Sequence, residues 1–164
     1  MHTKSAALAL ALTLLSVATA TAAQPTRVKQ FDAWGVYSYN DDGKTSCYAL
    51  SVPVTSLPAS VDHGDNYFLI SPQGSSLMPQ AIMGYDLKPG SDVEVAVDND
   101  EFDFVPRDNA AWVKDQGREP AVVNAMRGGS KMTLKATSKR GTHTSYSYSL
   151  SGVTAALQAV HKCR

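Results

Sequence analysis

Histidine, aspartate and serine are the residue types from which hydrolytic sites are built, and they gather around His63. His63 precedes Asp65 by two positions in a loop, so the carboxylate could orient the imidazole as a general base, and serines are plentiful on both sides. No Gly-x-Ser-x-Gly segment is present to hold a serine on the strained turn that activates it. Geometry rather than composition defines a triad, so a hydrolase using His63 and a nearby serine stands as an alternative reading, with no catalytic residue assigned. His143 and His161 lie at no metal-ligand spacing with His63, with each other or with a cysteine. No metal site and no cofactor are expected.

The run Asp98-Asn99-Asp100-Glu101-Phe102-Asp103 is rich in oxygen ligands. A calcium loop of the EF-hand kind needs glycine at its sixth position and a bidentate glutamate at its twelfth. Here those places hold Asp103 and Asn109, so the run reads as a solvated hairpin tip. Gly128-Gly129 has no Lys-Ser/Thr after it to make a phosphate loop and reads as a helix stop. Lys131, Lys135, Lys139 and Arg140 form a basic stripe on the outer face of one strand and its turn. Such a stripe keeps a strand soluble; its sharper reading is a docking stripe for an acidic partner. Trp34, Trp112, Tyr37 and Tyr39 read as core or cross-strand packing.

The elements that must position these residues are mostly strands, because apolar residues recur with a period of two. Trp34, Val36 and Ser38 share one face of a first strand ending at Asn40-Asp41-Asp42-Gly43, a turn signal, and a second strand runs from about Thr45 to Val52. Gln24 to Gln30 reads as a polar lead-in, Tyr67 to Ile70 as a fully buried strand, and Pro72 to Pro79 as a loop before a strand near Ala81 to Tyr85. Val93, Val95 and Val97 alternate with polar residues, and a turn at Asn99-Asp100 leads into a strand over Phe102 to Val105. Met132, Leu134 and Ala136 pair with Tyr146, Tyr148 and Leu150 across Gly141-Thr142. Two segments break the pattern. Pro120 and Gly128 bracket a short helix, and Val153, Ala156, Leu157 and Val160 fall at helical spacing behind a Ser151 cap. The expectation is a mainly β fold, a β-sandwich or curled barrel of short antiparallel strands with two short helices.

Residues 1–23 read as a cleavable signal peptide. His2 and Lys4 start it, an apolar run from Ala6 to Ala18 is too short to span a bilayer, and alanines at 18, 20, 22 and 23 suit the peptidase. Residues 24–164, left after cleavage, read as one domain with no further integral membrane segment. The 15 basic and 15 acidic residues become a net charge of about −1 once Lys4 leaves, which excludes the electrostatic footprint of nucleic-acid binding. Cys47 and Cys163 remain in the exported part. An oxidising compartment makes their pairing the default, against a reactive thiol.

Several segments in order resemble the invasion-associated locus B family: Phe31 to Tyr37, Cys47-Tyr48-Ala49-Leu50-Ser51, Ala125 to Ser130, and Ser138 to Thr142 leading into Tyr148 to Gly152. The resemblance spans nearly all of the exported chain. It implies an exported, β-rich envelope protein, periplasmic or at the cell surface, with a disulfide between Cys47 and Cys163 and a role in interaction with host cells. It implies no reaction and carries no catalytic residues across. On this reading the chain binds a protein or an envelope component, with a small-ligand carrier as a further alternative.

Overall fold

The computed structural model describes residues 24–163 apart from Asp42. The signal peptide read over residues 1–23 lies outside the described residues, as does part of the turn read at Asn40 to Gly43. Period-two alternation drives the chain into strands β1 (Thr26–Phe31), β2 (Trp34–Asp41), β3 (Lys44–Ser51), β4 (Thr55–Leu57), β5 (Tyr67–Gln73) and β6 (Ser76–Ile82). They are followed by β7 (Val93–Val97), β8 (Asp100–Arg107), β9 (Ala110–Val113), β10 (Lys131–Thr137) and β11 (His143–Ser149). Helix α1 (Glu119–Gly128) separates β9 from β10, and α2 (Val153–Lys162) comes after β11. The described strands make one antiparallel sheet in the order β1-β2-β3-β5-β6-β9-β8-β7-β10-β11-β4.

That single sheet folds over upon itself, without a ladder that closes it. The Phe68 ring on β5 lies 6.0 Å from Tyr148 on β11. These strands stand six places apart in the sheet order, a separation of about 29 Å if the sheet were flat. Phe68 also meets Phe104 of β8 at 6.1 Å. Across the open side, Trp34 donates its Nε1 hydrogen to the Ser149 carbonyl at 3.0 Å. The chain itself crosses the gap: residues 52–54 carry it from β3 to β4 on the opposite margin, where Val54 N donates to Ser147 O at 2.7 Å.

The concave face holds the core, with Trp34, Phe68, Ile70, Leu134, Tyr146 and Tyr148 all at 0 % exposure. Both helices contribute to it: α1 through Val122, Val123 and Met126, and α2 through Val153, Ala156, Leu157 and Val160. Of the aromatics read as packing, Trp34 is core, whereas Tyr37 stacks on Tyr48 across the β2–β3 pair and Tyr39 meets the same ring at a tilt. Trp112 lies beneath the Arg107 guanidinium at 5.6 Å.

Four local readings change. Residues 26–31 form an edge strand rather than a lead-in, because Phe31 packs against the core and Lys29 covers its ring at 5.0 Å. Tyr67 to Ile70 alternates between half-buried and buried, so β5 has an outer face. The stretch Pro72 to Pro79 is a hairpin, with Pro72 opposite Leu77 and Gln73 opposite Ser76, since proline is tolerated where the partner strand needs no donor. Finally, Gly152, at φ 88°, occupies the N-cap of α2; Ser151 instead donates its hydroxyl to Asp32 Oδ2 at 2.9 Å.

Candidate functional site

The β10–β11 turn is a rigid piece of backbone. Ser138 N donates to Thr142 O, Gly141 N to Ser138 O, and Thr142 N to the Ser138 hydroxyl. The turn is fastened to the segment after β6 by the Leu87–Ser138 bridge and by Lys139 N donating to Asp86 O at 2.8 Å. This places Lys139 and Arg140 on one wall of an open cleft.

The opposite wall is the loop at residues 58–66. Buried Asn66 staples it: its amide donates to the carbonyls of His63 and Gly64 at 3.0 and 3.2 Å and accepts from Gly84 N at 3.1 Å. Asp62 accepts from Gly64 N and tightens the bend. Sequence reasoning about His63 and about the basic stripe pointed to two separate places. The structure brings His63, Asp62, Lys139 and Arg140 together around a cavity of about 520 Å³.

The cleft floor is a chain of hydroxyls. Tyr146 lies with its hydroxyl 2.7 Å from His63 Nδ1 and 3.1 Å from the Tyr85 hydroxyl. The Tyr85 hydroxyl lies 2.7 Å from that of Thr144, which donates to the Ala136 carbonyl. His63 Nε2 faces the Pro58 carbonyl at 2.9 Å. Because that carbonyl only accepts, Nε2 carries a proton, and both ring nitrogens are engaged. His63 is hydrogen-bonded to neither Asp65 nor a serine among the described residues, so the arrangement read as a triad is not assembled.

Burial, and the bond with Tyr85, raise the pKa of Tyr146 far above the ordinary tyrosine value, and burial near Tyr85 does the same to Tyr148. Tyrosines in an unfolded chain ionise near pH 10. Above about that pH the folded state therefore holds more protons than the unfolded one, and stability present below it is lost as pH rises further. We expect phenolate absorbance to report fewer than the seven tyrosines of the chain ionising before an alkaline unfolding step. All seven ionising while the fold persists would contradict this burial.

The basic stripe is divided by the structure. Lys135 pairs with Glu94 of β7 at 2.6 Å, in register with it. Lys139 lies 3.5 Å from Asp86. Lys131 and Arg140 are exposed and form no ion pair among the described residues. The acidic tip at Asp98 serves the fold: its carboxylate accepts from Ser130 N and Lys131 N, fixing the start of β10. No group of three or more histidine, cysteine, aspartate or glutamate side chains is clustered to hold a metal ion among the described residues.

Cys47 of β3 and Cys163 beyond α2 are joined by a disulfide, with Cα atoms 6.0 Å apart. The family model of the invasion associated locus B (IalB) proteins matches residues 36–161. The chain belongs to the IalB family. The crystal structure of invasion associated protein B from Bartonella henselae is similar to this IalB-family chain, with a TM-score of 0.61 at 15% identity. The match covers 82% of this chain and 94% of that one, and is a likeness of fold. No curated protein matches the chain by sequence. The disulfide of this IalB-family domain fits a compartment outside the cytoplasm, and no helix among the described residues is long and apolar enough to cross a membrane.

Tyr85, Tyr146, Thr144 and Asn66 were missed as site residues. Tyr146 and Thr144 were hidden by strand alternation, which makes them indistinguishable from core. Asn66 carried one usable signal, a side chain able both to donate and to accept placed just before an apolar strand in a glycine-containing loop.

Proposed function

We propose that this IalB-family protein is an exported envelope protein, periplasmic or at the cell surface, that works by binding an envelope component or a protein through the cleft between residues 58–66 and the β10–β11 turn. The observation that carries this reading is the convergence of Lys139 and Arg140 on a preformed cleft whose histidine is tied up at both ring nitrogens. Such a histidine braces a wall of the cleft. A role in contact with host cells would depend on the ligand bound.

Cross-linking of intact cells with an amine-reactive reagent, with mass spectrometry of the products, tests the reading. Lys139 should be the dominant linked residue, and Arg140→Ala should lower capture severalfold without altering thermal stability. Capture that runs mainly through Lys44 or Lys114, at the ends of the β3–β5 and β6–β9 pairs away from the cleft, would put the binding face elsewhere.

A further inference from the structure

The charges around the cleft cancel. Asp86 lies 3.5 Å from Lys139, while Asp62 and Arg140 face the same space from opposite walls. A phosphate or carboxylate ligand would meet two carboxylates, and a cationic ligand would meet two cations, so neither finds a net attractive field. The other polar groups are hydroxyls. Tyr85 and Thr144 lie in the floor with their bonds already formed. Ser138 accepts from Thr142 N and keeps its own proton, and the Thr142 hydroxyl has no partner among the described residues.

Groups that both donate and accept, set beside carboxylates that only accept and a guanidinium that only donates, match a ligand whose groups also do both, which is the chemistry of a polyol. Val61 and the Tyr85 ring add apolar surface suited to the C–H face of a sugar ring. One wall is fixed by backbone bonds and the other by the Asn66 and Asp62 side chains, so little ordering opposes binding. A cavity of about 520 Å³ falls within the range of small-ligand sites. We propose that the cleft is a carbohydrate site that takes an uncharged saccharide unit of an envelope or cell-surface glycan. This rests on the binding reading above and gives its ligand class.

The test is amide NMR of the disulfide-bonded protein titrated with a panel of neutral mono- to trisaccharides (glucose, galactose, mannose, N-acetylglucosamine, maltotriose and chitotriose) up to about 20 mM, well above a Kd of about 1 mM. In parallel it is titrated with inorganic phosphate. The expected result is saturable shifts at Asp62, Tyr85 and residues 138–144 with at least one sugar, weakened about tenfold or more by Arg140→Ala and by Thr142→Val. Phosphate moving the same amides while no sugar does would overturn the saccharide assignment and leave the cleft a binding site. Neither probe moving them, with cross-links mapping to another face, would remove both readings. Sugar shifts that persist unchanged in both variants would place the saccharide elsewhere and also sink the assignment.

Discussion

Reducing the Cys47–Cys163 bond, or replacing both residues by alanine, lowers the unfolding free energy by about 2–5 kcal/mol. The bond closes a loop of 116 positions, for which the chain-entropy argument gives an upper figure of about 4.7 kcal/mol. It also does something local. Cys47 is 2 % exposed within β3, and Cys163 lies just past the last turn of α2, whose Val153, Ala156, Leu157 and Val160 complete the core under β2, β3 and β5. α2 is ten residues long and has no side-chain cap at its start. A helix so short is marginal by itself, and the bond is the covalent tie that holds its far end to the sheet. For a domain of this size the midpoint of thermal unfolding should fall by roughly 10 °C or more. Hydrogen exchange should rise first in the last turn of α2 and at the open β2–β11 side. Reduction separates the effect from the cavity that double alanine substitution leaves. A fall of under about 1 kcal/mol on reduction would show that the core alone secures α2.

How much of this was legible in the sequence depends on the range of the interaction. Period-two alternation gave β2, β7, β10 and β11 with their faces and β3 as a strand, because each strand buries its inward row regardless of its neighbours. It failed at β1 and β6. The polar residues of β1 are exposed on both faces, since the strand lies at the margin of the sheet and is held by backbone bonds to β2. Pro72 and Pro79 masked the hairpin that they sit in, as only the partner strand reveals which backbone groups the ladder leaves unused. The curl was equally hidden, because it arises from meetings such as Phe68 with Tyr148 that join strands remote in sequence. The cleft suffers the same limit. Lys139, Arg140 and His63 were singled out on chemistry, but nothing local shows that the loop before β5 folds against the β10–β11 turn. Asp86, paired with Lys139, carries no local signal, because its partner lies far along the chain.

That long-range packing makes Gly84→Ala the sharpest probe of the cleft. Gly84 comes just after β6 and lies directly under the loop, and a Cβ there would sit 2.5 Å from the His63 carbonyl oxygen, 2.6 Å from Asp65 N and 2.6 Å from Gly64 Cα. All three are backbone atoms, so no side chain can swing aside to make room. The loop must lift, and lifting it breaks the bond from Gly84 N to the Asn66 amide and strains the bonds from that amide to His63 and Gly64. Overpacking costs about 1–3 kcal/mol, and leaving a buried amide short of partners costs a comparable amount. The combined loss should be roughly 2–4 kcal/mol. His63 is displaced from Tyr146 with the loop, so the variant should also weaken ligand binding at the cleft, while Asn66→Ala reproduces the binding loss with a smaller fall in stability. Two readouts check this: thermal unfolding, and the ring signals of His63 and Tyr146, which should lose their mutual contact. If Gly84→Ala kept wild-type stability and the His63–Tyr146 contact, the loop would not rest on Gly84, and the cleft would lack the rigid wall on which its binding role depends.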